Sequence, residues 1–124
     1  MKTSESQEMY LETVLKLQKQ RGKVRAIDVA EELSYARSSV SRGINLLKKQ
    51  GLLTTTENDV LKLTKKGYDT ANKIFERHEI ITKAFIAIGA SQELAEDNAC
   101  RVEHVISDEV FALIKEFLQK NNKL

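Results

Sequence analysis

The sequence predicts a mainly α-helical protein with one small β-hairpin. Proline is absent and only five glycines occur among 124 residues, a composition that permits long helices. Apolar residues recur at intervals of three and four over most of the chain, which is the helical period. Residues 52–64 differ, because two short runs rich in Leu, Thr and Val flank the polar triplet Glu57-Asn58-Asp59. This pattern is typical of two strands joined by a turn.

The first half of the chain contains the shorter predicted elements. A helix over residues 9–20 should end at Gly22, and residues 24–26 could pair as a short strand. A short helix over 27–33, a turn, and a helix over 37–50 follow, and Gly51 suits the C-terminal cap of the last helix. Helix, short helix, turn, helix and hairpin is the element order of a winged helix-turn-helix, which we predict for residues 1–64.

The second half, residues 65–124, is predicted to form a separate helical domain. Thr64 could cap a long helix over residues 65–88, and Ser91 a second helix from 92 towards 109. The apolar segment 110–118 predicts a final helix. The apolar row of the long helix is explained equally well as a partner surface or as internal core. It consists of Ile74, Ile81, Phe85 and Ile88.

The distribution of charge points to a nucleic-acid-binding surface. The net charge is only +2, but residues 33–56 contain four basic residues and no acidic one. In a helix-turn-helix the second helix enters the major groove of DNA, where hydroxyl and guanidinium groups contact phosphate and guanine. The predicted DNA contacts are Arg37, Ser38, Ser39, Ser41 and Arg42. A winged-helix protein-interaction module that does not bind DNA is the alternative.

A second group of reactive side chains occurs in the segment Ala-Cys-Arg-Val-Glu-His at residues 99–104. On a continuous helix Cys100, Glu103 and His104 would project from one face. Their thiolate, carboxylate and imidazole groups suit a transition metal such as iron, zinc or nickel. The alternatives are a buried cysteine beside two solvated polar residues, and a thiol-redox sensor that uses Cys100.

These residues resemble the metal-dependent repressors of the diphtheria toxin repressor and manganese transport regulator family. The similar blocks appear in the same order, at residues 8–12, 28–33, 38–41, 77–78 and 99–110, and the last block is the most specific. The resemblance implies a metal-activated repressor that controls metal-ion homeostasis. Its N-terminal domain would bind operator DNA, and its helical domain would form a homodimer and bind divalent metal.

The resemblance also implies a set of metal ligands. Glu12 matches a ligand of the manganese-type members, and His78 matches a ligand of a second, neighbouring site. The complete set is Met9, Glu12, His78, Cys100, Glu103 and His104. The two sulfur ligands favour Fe(II) as the physiological metal, whereas Glu12 is also consistent with Mn(II). Zn, Co or Ni could bind in place of these metals.

Departures from the family pattern are also visible in the second half of the chain. Glu96 and Thr82 stand where other members place a histidine and a carboxylate of the second site. Because the sequence ends at Leu124, the resemblance predicts a short form without the C-terminal SH3-like domain.

Other function classes lack support in the sequence. It contains no glycine-rich phosphate loop, so we predict neither an enzyme nor a small organic substrate. No apolar run is long enough to span a bilayer, so we predict no membrane partner. A single cysteine cannot form an internal disulfide, which favours the cytoplasm.

Overall fold

The computed structural model describes residues 5–124 and is mainly α-helical with one hairpin, as predicted. One compact unit extends to Asn72 and a second begins at Lys73. We call them the N-terminal and C-terminal units. This division falls inside helix α4, whereas the predicted domain boundary after residue 64, which stays a prediction, precedes that helix. The elements in chain order are α1 (Glu5–Arg21), α2 (Ala26–Leu33), α3 (Arg37–Lys49), β1 (Leu53–Thr55), β2 (Leu61–Leu63), α4 (Lys65–Ala87), α5 (Gln92–Val102) and α6 (Asp108–Lys120).

Helices α1, α2 and α3 pack together around an apolar core in the N-terminal unit. Leu11, Val14, Val29, Val40 and Leu47 are fully buried there. Helix α2 ends at Leu33, and the left-handed backbone of its C-cap Ser34 (φ 56°) turns the chain towards α3. This geometry is that of a helix-turn-helix, and its second helix has one buried and one exposed face.

The hairpin that follows α3 is short and antiparallel. Leu53 pairs with Leu63 and Thr55 with Leu61, so each strand is one residue shorter at both ends than predicted. The predicted strand over 24–26 is wrong, because Ala26 already belongs to α2. The segment does contact β2 through its backbone, since the Leu61 N–H donates a hydrogen bond to the Val24 carbonyl (2.7 Å).

The C-terminal unit contains the rest of α4 together with α5 and α6. Ser91 caps α5 as predicted, since its Oγ accepts a hydrogen bond from the Leu94 N–H (3.2 Å). The predicted extension of this helix towards residue 109 is wrong, because α5 ends at Val102 and a turn follows. Ser107 then caps α6 by accepting a hydrogen bond from the Val110 N–H (3.1 Å).

The apolar row of α4 divides between core and surface. Ile74 and Ile81 are buried, Phe85 is half-buried and Ile88 is 80% exposed. The row therefore serves partly as core and leaves its C-terminal end open to solvent. Among the described residues no helix is both long and apolar enough to cross a membrane.

Candidate metal centre and nucleic-acid interface

A buried carboxylate between two imidazoles forms the chemical centre of the C-terminal unit. Glu103 Oε2 lies 2.7 Å from His78 Nδ1, and Glu103 Oε1 lies 3.2 Å from His104 Nε2. The side chains of Glu103 and His104 are 0% and 1% exposed, and that of His78 is 29% exposed. Helix α4 supplies His78, and the turn after α5 supplies the other two residues.

The donor atoms of this group are of kinds that divalent cations accept. A buried carboxylate is costly unless charged or hydrogen-bonding groups face it, and here two imidazoles do so. Carboxylate oxygen and imidazole nitrogen are ligands that Mn²⁺, Fe²⁺ and Zn²⁺ all accept. The fold already holds both imidazoles within 3.2 Å of the Glu103 carboxylate.

The Arg77 guanidinium hydrogen-bonds to the turn that carries Glu103 and His104. Its Nη1 donates hydrogen bonds to the backbone carbonyls of Glu103 (3.1 Å) and Ile106 (2.8 Å). Its Nη2 forms an ion pair with the Asp108 carboxylate, and the guanidinium lies 5.5 Å from the centre of the Phe111 ring. Sequence reasoning missed this role, although the adjacency of Arg77 to His78 was a visible signal.

Cys100 lies on α5, within the helix predicted for this segment, and it is exposed. This exposure contradicts the alternative interpretation of Cys100 as a buried cysteine. Glu103 is the C-cap of α5 and His104 lies beyond the helix. The continuous helix assumed for these three residues is therefore wrong, whereas their shared role as metal ligands stays a prediction.

Met9 and Glu12 lie on α1 in the N-terminal unit, one helical turn apart and both half-buried. The Met9 Sδ accepts a hydrogen bond from the Tyr35 hydroxyl (3.3 Å), and the Met9 carbonyl accepts one from Thr13 Oγ1 (2.7 Å). A thioether and a carboxylate are thus available on α1 at helical spacing.

The predicted DNA contacts lie on the accessible side of α3. Ser39 is half-buried, and the other four are exposed, namely Arg37, Ser38, Ser41 and Arg42. The opposite face of α3 is buried through Val40, Ile44 and Leu47. The side chains that can bond phosphates or bases are therefore available, while the apolar face holds the helix in place.

A groove of about 310 Å³ lies beside α3 and extends to the hairpin. Arg25, Asn45 and Lys48 are among its lining residues, and the prediction did not include them. Arg25 Nε also donates a hydrogen bond to the Asn58 carbonyl (2.8 Å), so it connects the start of α2 with the hairpin turn. The basic surface thus continues from α3 towards the hairpin.

Comparisons with known proteins agree with both halves of this description. Residues 2–61 match the family model of the iron-dependent repressor N-terminal DNA-binding domain, and residues 64–123 match that of the iron-dependent repressor metal-binding and dimerisation domain. An uncharacterised helix-turn-helix transcriptional regulator of Methanocaldococcus jannaschii is 30% identical over 94% of this chain and 95% of its own length.

Two further regulators are similar to this chain. The transcriptional regulator MntR of Escherichia coli O6:H1 is 29% identical over 90% of this chain and 72% of its own length. The solved structure of a manganese-dependent transcriptional repressor in complex with manganese is similar with a TM-score of 0.83 at 26% identity, covering 91% of this chain and 52% of that one. The chain therefore belongs to the iron-dependent repressor family, the metal-dependent, DNA-binding transcriptional repressors that include the diphtheria toxin repressor and MntR, and it is not an enzyme.

Proposed function

We propose that this repressor responds to Fe(II), with Mn(II) as the second candidate, and controls genes of metal-ion homeostasis. The observation that carries the proposal is the buried Glu103 carboxylate held between His78 and His104. Three further ligands would come from Met9, Glu12 and Cys100. The thioether and the thiolate are soft donors that favour Fe(II) over Mn(II), whereas the Glu12 carboxylate suits Mn(II). Zn, Co and Ni are expected to bind as substitutes.

The ligand set explains how metal controls the repressor. Met9 and Glu12 belong to the N-terminal unit, and the other four proposed ligands belong to the C-terminal unit. We infer that one cation takes ligands from both units. The arrangement that gathers all ligands is then favoured by its higher metal affinity. A shift from 1% to 99% of the active arrangement requires about 5.5 kcal/mol of differential binding.

The exposed apolar surface of the C-terminal unit supports a role in homodimer formation. Ile88, Val110, Leu113 and Phe117 line a groove of about 250 Å³, and Leu113 and Phe117 are 64% and 59% exposed. A solvent-exposed apolar patch of this kind is typical of an interaction site. We infer that a second copy covers it, so that two α3 helices can contact two operator half-sites.

The test is an operator titration at increasing concentrations of each metal under anaerobic conditions. The probe is a duplex selected from a randomised pool by the Mn(II)-loaded protein. Glu103→Gln, which keeps the shape of the side chain and removes its charge, should weaken Fe(II) and Mn(II) affinity by at least tenfold and abolish metal-dependent binding. Glu109→Gln, the same change at an exposed position of α6, is the matched control. Operator binding of equal strength without metal in wild type and Glu103→Gln would overturn the proposed switch.

A second variant addresses the choice of metal. Cys100→Ser replaces a soft thiolate by a hard hydroxyl at an exposed site of α5. We expect it to weaken Fe(II) and Co(II) binding more than Mn(II) binding, and to remove the sulfur-to-cobalt charge-transfer absorption. Equal losses for all three metals would contradict the preference for Fe(II). The single cysteine also suits the reducing cytoplasm, where we propose that the repressor acts.

A further inference from the structure

Tyr35 belongs to the turn of the helix-turn-helix, yet its side chain contacts helix α1. The Tyr35 hydroxyl donates a hydrogen bond to the Met9 sulfur (3.3 Å). Its ring also meets the Tyr10 ring edge to face, with centroids 6.3 Å apart and planes at 84°. One side chain from the turn thus makes two different contacts with consecutive residues of α1. All of these groups belong to the N-terminal unit.

Tyr10, one of the two α1 residues that Tyr35 contacts, is itself packed against α3. The Tyr10 ring is buried and lies so close to Gly43 of α3 that a methyl group at this glycine would overlap it. The Met9-Tyr10 pair therefore touches both the turn that precedes α3 and the backbone of α3. A change in the Met9 rotamer would disturb the hydrogen bond that its sulfur accepts from the Tyr35 hydroxyl.

We propose that Tyr35 is a positioning residue that holds the Met9 thioether in its metal-binding rotamer. The inference rests on the proposed function, in which Met9 is a ligand. Methionine has three rotatable bonds, and ordering such a side chain at a binding site opposes binding. A hydrogen bond to one sulfur lone pair fixes the rotamer before metal arrives and leaves the second lone pair available to the cation. The edge-to-face contact with Tyr10 keeps the donor ring in place.

The proposal is tested by a double-mutant cycle that measures Co(II) and Fe(II) affinity by titration of the purified full chain without DNA. Tyr35→Phe removes only the hydroxyl and retains the ring contact with Tyr10. We expect it to weaken metal binding by about threefold to tenfold. Met9→Leu should weaken binding further, and the double variant should equal Met9→Leu alone, because the hydroxyl acts only through the sulfur. Tyr68→Phe, at an exposed tyrosine of α4, is the control and should leave affinity unchanged.

Three outcomes would overturn the proposal, each for a different reason. If Met9→Leu weakens binding but Tyr35→Phe does not, the positioning role is wrong and the proposed function stands. If Tyr35→Phe weakens binding equally with and without Met9, the hydroxyl acts through another part of the structure. If Met9→Leu leaves affinity unchanged, Met9 is not a ligand, and the Glu103→Gln titration then decides the proposed function separately.

Discussion

Replacing Arg77 by methionine should loosen the turn that carries Glu103 and His104. Methionine keeps most of the aliphatic length of the side chain and removes the guanidinium. The change therefore deletes two hydrogen bonds to backbone carbonyls, the ion pair with Asp108 and the contact with the Phe111 ring. The carbonyls of Glu103 and Ile106 would have to find water or another donor.

The structure allows the size of the effect to be worked out. Hydrogen bonds from a charged donor contribute about 1.5 kcal/mol each at the lower end of the usual range, which applies because both bonds are only partly buried. The ion pair contributes well below 1 kcal/mol, since the Asp108 side chain is 93% exposed. The ring contact contributes roughly 0.5 kcal/mol. We expect Arg77→Met to lower the free energy of unfolding by about 3–4 kcal/mol.

Urea unfolding of the metal-free protein at one fixed protein concentration measures this loss. The matched control is Lys115→Met, which removes the exposed 2.9 Å ion pair with Glu76 between the same two helices, α4 and α6. It should cost less than about 1 kcal/mol. In Mn(II) titrations at urea concentrations where both variants remain folded, Arg77→Met should also weaken Mn(II) binding, whereas Lys115→Met should not. Equal small losses in both variants would refute the role assigned to Arg77.

The remaining predictions concern the core, the dimer surface and the DNA interface. Gly43→Ala places a methyl group against the Tyr10 ring and should lower the free energy of unfolding by about 1–3 kcal/mol in urea titrations. Leu113→Asp should shift the protein from dimer to monomer in sedimentation without loss of helical circular dichroism, because this side chain is exposed in the chain itself. Arg42→Ala should weaken operator binding and reduce the salt dependence by about one phosphate contact; an unchanged salt slope would contradict its contact with phosphate.

The elements that could be predicted from the sequence are those with local causes. The helical period located the six helices, and caps such as Gly22, Ser91 and Thr64 placed several boundaries within one or two residues. The hairpin turn was equally visible, because Asn58 and Asp59 adopt the left-handed backbone that asparagine and aspartate tolerate best.

The end of α5 was missed, and the contacts that hold the turn after it are not local. Arg77 binds the carbonyls of Glu103 and Ile106 from a helix 26 and 29 residues away in sequence, which no periodicity can reveal. A local signal did exist, since Ser107 followed by two acidic residues is a typical helix start. The convergence of His78 on Glu103 likewise depends on tertiary packing, and only the family resemblance pointed to it.

Glu103 and His104 lie where α5 ends, at its C-cap and in the turn that follows. In the turn their side chains meet at 3.2 Å, and the carboxylate still reaches His78 at 2.7 Å. The turn would be less ordered if its carbonyls lacked a hydrogen-bond donor. Arg77, which precedes His78 on α4, donates to the carbonyls of Glu103 and Ile106. Consecutive residues of α4 thus hold the two parts of one group: Arg77 fixes the backbone of the turn, and His78 contacts the carboxylate that the turn presents.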